Sequence, residues 1–286
     1  MIKRNRSDGW KHAKKSGHKN EGLIAQKINK NKKFADILKS RLGKEQFVLK
    51  KAITDDIKAK HVKDVCDSKT IPKPDLRVIW KGNNFTNISI KKSIAGQVFL
   101  IGTDRFISGF EKQFNLKIPK DVERALSLFI NGALDIDQII SNQSLNNING
   151  RIIDYEKRKG RLTWETLNKY DDELADCLLE WLKKNIRNII LFCFQRGLAK
   201  NKTDWAEYVW YYNLIKENQI DSLLKLETMA EELSSVKLEK EFYPGKSLGG
   251  TTIHLPFGFL QWHQKKIQFH HNMDTILKNC KISSNL

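Results

Sequence analysis

Two residues of opposite charge open the functional reading: Asp75, directly after Pro74, and Lys91 further along. An aspartate can hold a hard divalent cation, and a lysine beside it can orient or activate the water that attacks a phosphodiester. They can act together only if the chain brings them to one point. Leu76-Arg77-Val78-Ile79-Trp80 and Phe85-Thr86-Asn87-Ile88-Ser89-Ile90-Lys91-Lys92 are filled with β-branched and aromatic residues. Lys81-Gly82-Asn83-Asn84 between them supplies turn residues, so the stretch predicts two strands around a tight turn. Side chains alternate along a strand, which puts Ser89 and Lys91 on one face and Ile88 and Ile90 on the other. The plain alternative is an ordinary hairpin carrying a surface acid and a surface lysine.

Pro74-Asp75 followed by Ser89-Ile90-Lys91 resembles the PD-(D/E)XK nuclease motif. Ser89 stands where the second carboxylate of that motif normally sits; some small type II restriction endonucleases carry glutamine or asparagine there. Four further segments are similar to restriction enzymes that cut short GC-only sites. They are Gly17-His18-Lys19-Asn20-Glu21 with Ile24-Ala25, Trp181-Leu182-Lys183-Lys184-Asn185, Asp204-Trp205-Ala206-Glu207-Tyr208-Val209 and Lys266-Ile267-Gln268-Phe269. They occur in the family's order. The resemblance implies an α/β fold with a restriction-endonuclease-like central mixed sheet flanked by helices and followed by C-terminal antiparallel strands, read as a single domain over residues 1–286. It implies hydrolysis of duplex DNA at a short site with Mg²⁺. In that reading Asp75 and Glu21 hold the metal, Lys91 handles the water, and Ser89 contributes only a hydroxyl. Lys92 is the substitute lysine should the register be off by one. A cognate DNA methyltransferase is then the expected genetic partner. Cutting both strands calls for a homodimer or for sequential nicking.

Composition agrees with a polyanionic partner. The 286-residue chain is 40% hydrophobic, enough for a real core, and carries a formal charge of +18. Residues 1–33 hold eleven Lys or Arg against Asp8 and Glu21, a surplus of nine and half of the total. Residues 1–16 therefore read as a flexible basic arm for phosphates, or else as a solvated tail. The four cysteines, Cys66, Cys177, Cys193 and Cys280, include no CxxC pair, so no zinc site or disulfide framework is expected, and Cys177 and Cys193 read as buried thiols. No run reaches transmembrane length and the N-terminus lacks an apolar signal region, so the expected setting is cytoplasmic, away from membranes.

The intervening chain must position the hairpin. A helix is expected from Asn20, with Glu21, Ile24, Ala25 and Ile28 on one stripe. Glu21 is its odd member, since a carboxylate on a core-facing stripe needs a partner or a metal; the alternative is a helix-start acid favoured by the macrodipole. A second helix over 33–43 turns Phe34, Ile37, Leu38 and Leu42 inward and stops at Gly43. Gln97–Gly102 reads as a strand or as loop running into helix, and Phe106, Phe110 and Phe114 as an aromatic stripe of a helix, core in preference to a base-stacking platform. Pro119 opens the next helix. Asn142 to Asn149 and Arg151 to Arg161 read as surface loops, the second offering Arg151, Lys157, Arg158, Lys159 and Arg161 to backbone phosphates. Thr163 caps a short helix, and Asp171 caps a long buried one from Asp172 to Arg196 ended by Gly197, with the continuous apolar run Ile189 to Phe194 fitting a strand as well. Thr203 is expected to cap a helix through Tyr212, and residues 219–235 a further helix.

The last segments, Thr251–Leu255, Phe259–His263 and Lys266–His270, read as three short antiparallel strands. Their outward residues His254, Gln261, His263, Gln264, Gln268 and His270 form hydrogen bonds without carrying the charge usual on a solvent face. Gln261, His263 and Gln268 are candidates to read base edges, and Lys246, Lys265 and Lys266 to hold phosphates. A metal site of His254, His263 and His270 is the weaker reading, because no carboxylate or cysteine joins them. Two other functions share these features. One is a repair or mobile-element nuclease without sequence specificity; the other is a non-catalytic DNA-binding protein in which Ser89 marks a decayed site.

Overall fold

A computed structural model gives the fold and describes residues 6–54, 57, 60–82, 84–143, 148–215, 220–236 and 242–280, with side chains in the first helix from Gly17 on. The elements begin with α1 (Arg6–Lys30), α2 (Lys32–Arg41), β1 (Leu49–Ile53), β2 (Val62–Lys63), β3 (Lys69–Thr70), β4 (Leu76–Trp80), β5 (Phe85–Lys91) and β6 (Ala95–Ile101). Helices α3 (Thr103–Phe114), α4 (Lys120–Phe129), α5 (Ile136–Gln143), α6 (Gly150–Lys159), α7 (Trp164–Tyr170), α8 (Asp172–Lys184) and α9 (Ile186–Ile190) follow. The chain continues with β7 (Tyr208–Tyr212), β8 (Asp221–Lys225), α10 (Leu226–Ser234), β9 (Tyr243–Pro244), β10 (Thr252–Leu255), β11 (Gly258–His263), β12 (Lys266–Asn272) and α11 (Met273–Asn279). These fall into two compact units, Met1–Ile94 with Phe194–Thr228, and Ala95–Cys193 with Met229–Leu286. No described helix is long and apolar enough to cross a membrane.

The first unit is built on a mixed sheet in the order β1-β4-β5-β7-β8. The expected hairpin forms: β4 and β5 pair antiparallel with Leu76 opposite Ile88 and Ile79 opposite Phe85. Gly82 supplies the positive φ of 85° in the turn. Strand β5 then pairs in parallel with β7, Ser89 beside Val209 and Lys91 beside Tyr211. Helix α1 covers one face, its Ile24, Ala25 and Ile28 packing with Leu76, Val78, Ile88 and Ile90. Each of these Ile, Leu and Val side chains contributes about 1.5–3 kcal/mol on full burial. Asn31 separates α1 from α2 and caps the latter, accepting from the Phe34 N–H at 3.0 Å.

The second unit carries an antiparallel sheet in the order β6-β12-β11-β10-β9. Its inner face buries Leu260, Ile267 and Phe269, the last with its ring centroid 5.8 Å from Phe106. Phe106 and Phe110 also meet Trp181 of α8 and Phe192, so the aromatic stripe of α3 is core. An α/β architecture with a mixed sheet flanked by helices and with antiparallel C-terminal strands is what the sequence leads one to expect.

Several local expectations are corrected. Helix α1 begins at Arg6, ahead of Asn20; residues 1–5 of the expected arm lie outside the described residues. Ile37 is 50% exposed, and Ala35 takes the inward place on α2. The segment 172–196 is not one α-helix: α8 stops at Asn185, whose side chain donates to the Trp181 carbonyl at 2.9 Å, and a π-helix Leu191–Arg196 follows α9. Residues 208–212 form strand β7, because pairing on both sides satisfies their backbone while Trp210 and Tyr212 stack on one face. Residues 221–225 are strand β8, which leaves a helix only over 226–234. Arg151–Lys159 belongs to helix α6, and Arg161 is fully buried over the Phe129 ring, so it is not a surface phosphate contact. Cys177 is exposed, whereas Cys193 is buried. Residues 144–147 of the other expected loop lie outside the described residues.

Candidate active site and nucleic-acid face

Asp75 sits immediately before β4, and its N–H donates to the Ile88 carbonyl at 2.9 Å, which fixes it beside β5. Its Oδ2 accepts from the Ile90 backbone N–H at 2.6 Å and from Ser89 Oγ at 3.0 Å. Lys91 Nζ donates to Ser89 Oγ at 2.7 Å and lies 4.0 Å from Asp75 Oδ2. Alternation along β5 produces this convergence: Ile88 and Ile90 point into the core beneath α1, and Ser89 and Lys91 to the opposite face. Ser89 therefore joins acid and base through one hydroxyl, donating to the first and accepting from the second. Asp75 is 6% exposed, so its charge is anchored by short bonds in place of bulk water.

Glu21 lies on α1 and is 8% exposed, with His18 Nδ1 3.3 Å from its Oε2. Its neighbour Asn20 holds that turn in place, donating to the Tyr212 carbonyl and accepting from the Leu214 N–H, both at 2.8 Å. Asn213 in turn donates to the Lys92 carbonyl at 3.0 Å. These bonds bring the Glu21 turn to the end of β7, next to the end of β5 that carries Lys91. Asn20 and Asn213 were missed in the sequence; a buried asparagine beside a candidate acid is the only signal that could have marked one of them. Among the described residues no three His, Cys, Asp or Glu side chains gather as a metal-ligand group. The donors present, the Asp75 carboxylate and the Ser89 hydroxyl, are hard oxygen ligands. They suit Mg²⁺, which takes one or two carboxylates and fills its shell from water and phosphate.

In the second unit Gln261 and Gln268 face each other across β11 and β12. Gln261 Nε2 donates to Gln268 Oε1 at 2.7 Å, and Gln268 Nε2 donates to Gln97 Oε1 at 2.7 Å. Gln268 is 6% exposed, Gln261 and His263 are half-buried, and Gln97 is exposed. On the same face Tyr243 stacks on His254 at 4.3 Å and Phe259 on His270 at 4.5 Å. Burial lowers the pKa of His254, and burial with the nearby His263 lowers that of His270, so both imidazoles stay neutral at pH 7. The three histidines form no metal-ligand group with other described residues. Lys246, Lys265 and Lys266 are exposed, the last two at the tip of the β11–β12 hairpin. Gln264 and Lys265 there adopt φ of 49° and 60°, the left-handed pair that a two-residue turn demands. Gln97 escaped the sequence reading because β6 looked like an apolar run, and its partner lies far along the chain.

No protein-family model and no curated protein matches the chain. Among solved structures it is similar to the restriction endonuclease MspI in complex with its cognate DNA. That likeness has 13% sequence identity and a TM-score of 0.44, and covers 86% of this chain and 81% of the other.

Proposed function

We propose that the chain is a Mg²⁺-dependent type II restriction endonuclease hydrolysing duplex DNA at a short specific sequence. The observation that carries this reading is the hydrogen-bonded series Asp75–Ser89–Lys91 on neighbouring strands, in the pattern that resembles the PD-(D/E)XK motif. The charge of +18 suits the substrate. Bound Mg²⁺ supplies a Lewis acid for the phosphate and lowers the pKa of water. Asp75 holds the cation, helped by Glu21 from α1, and Ser89 contributes a neutral oxygen. Lys91, steadied by Ser89, keeps its ammonium where a phosphate oxygen or an attacking water can accept from it. Gln261 and His263 present hydrogen-bonding groups for bases, with Gln268 bonded beside Gln261, and Lys246, Lys265 and Lys266 balance phosphates. Cleavage of both strands takes two copies or two successive nicks, and a methyltransferase of the same specificity protects the host.

Incubating a phage genome with the protein and Mg²⁺ tests this directly. Discrete fragments are expected; a smear points to a nuclease without sequence specificity, and intact DNA with retained binding to a non-catalytic protein. Asp75→Ala and Lys91→Ala should each lower cleavage by about 10²–10⁴-fold with specific binding kept, and Lys92→Ala should be mild. Near-normal cutting by both site variants would overturn the assignment.

A further inference from the structure

Gln268 is the most buried residue on the polar face of the C-terminal strands, 6% exposed, and both of its amide atoms are already engaged. Its Oε1 accepts from Gln261 and its Nε2 donates to Gln97, each at 2.7 Å. Gln261 Nε2 turns its remaining hydrogen toward His270 Nε2 at 3.4 Å, which can accept it in the Nδ1–H tautomer. The chain of amides therefore has a direction. At one end the Nε2 group of the exposed Gln97 is left as a donor. At the other the Oε1 of Gln261 remains as an acceptor. Neither atom has a further protein partner among the described residues.

We infer that Gln97 and Gln261 are the base-reading pair of this sheet face, one as donor and one as acceptor, and that Gln268 is a positioning residue that sets which atom each presents. The inference rests on the proposed action on duplex DNA. Its strength lies in the fixed polarity. An amide alone can swing its two ends through half a turn and read a donor or an acceptor equally well. Bonded on both sides, Gln268 can satisfy both neighbours only if one receives and the other gives. Gln97 then seeks an acceptor such as O6 or N7 of a purine or O4 of thymine. Gln261 seeks an amino donor, N4 of cytosine or N6 of adenine. Strands β6 and β11 are separated by β12, so their backbones stand about 9.5 Å apart. Stacked base pairs rise ~3.4 Å, so the two amides address different positions of the site.

The test is binding selection of the full chain from a randomised duplex library in chelator, followed by sequencing of the bound fraction. Wild type should enrich a short motif. Gln97→Ala should relax one position of it and Gln261→Ala a second. Gln268→Ala should relax both, and adding Gln97→Ala to it should change little. Gln268→Glu is the decisive variant, because a carboxylate only accepts. Gln261 can still donate to it, but Gln97 must reverse, so preference at the Gln97 position should switch from an acceptor-bearing to a donor-bearing base while the other position stands. Melting temperatures check that each variant folds, and Gln268→Glu carries the test if Gln268→Ala does not. Relaxation by Gln268→Ala at a single position of its own, with Gln97→Ala silent, would show Gln268 itself reading a base and overturn the inference alone. A wild type that enriches no motif removes both the inference and the sequence-specific function beneath it.

Discussion

Ser89 sets the charge balance of the candidate site. An acid at position 89 would set a second carboxylate directly beside Asp75; here a hydroxyl 3.0 Å from Asp75 Oδ2 bridges to Lys91 and adds no negative charge. A less negative site attracts a divalent cation less, and repels itself less when the cation is away. Ser89→Asp should therefore lower the melting temperature in chelator, because two carboxylates would face each other at close range. Added Mg²⁺ should then raise it more than in wild type, since a ligand that binds only the native state stabilises by RT ln(1 + [L]/Kd), about 2.7 kcal/mol at a hundredfold excess over Kd. Thermal melts of both proteins across a Mg²⁺ series read this out, and equal shifts would show that position 89 does not face the cation. Ser89→Ala leaves Asp75 its bond from the Ile90 N–H but takes the acceptor from Lys91, so cleavage should fall while folding holds.

Among the elements, what could be read in the sequence depended on how local the deciding contact was. Strands β4 and β5 share a turn, so alternation and turn residues were enough to place Asp75, Ser89 and Lys91 on them. The sequence of β7 carries a helical pattern, because Trp205, Tyr208, Val209 and Tyr212 also satisfy the i, i+3, i+4, i+7 spacing. What decides for a strand is parallel pairing with β5, whose residues lie more than a hundred positions earlier. The break at Asn185 and the π-helix after it were invisible for the same reason, since apolar residues surround both. Helix α1 shows how an element and a site depend on one another. Asn20 is fully buried and ties the Glu21 turn to Tyr212 and Leu214. Asn20→Ala removes both bonds, each worth about 0.5–1.5 kcal/mol. Urea denaturation should show the loss, and cleavage should fall with it as the Glu21 turn shifts. Full stability in Asn20→Ala would mean that α1 is held by its apolar stripe alone.

At the scale of the whole molecule the charge distribution is the dominant fact. Half of the net +18 sits in residues 1–33, and Lys3, Arg4, Arg6, Lys11, Lys14 and Lys15 lie ahead of the turn that carries Glu21. Charge concentrated near one end of a chain can hold phosphates of any sequence, and every phosphate neutralised releases counterions. The affinity for random duplex should then fall steeply with salt, each contact contributing about 0.9 to the slope of log K against log salt. Replacing these six residues with glutamine removes the charges and keeps a good helix former at every position, which matters because α1 starts at Arg6. Circular dichroism should accordingly change little. The salt slope should fall by at most about 5, and random and cognate duplex should weaken together, leaving their ratio intact. A slope equal to that of wild type would show that these residues meet only solvent. A changed ratio would place some of them on base edges, where sequence is read.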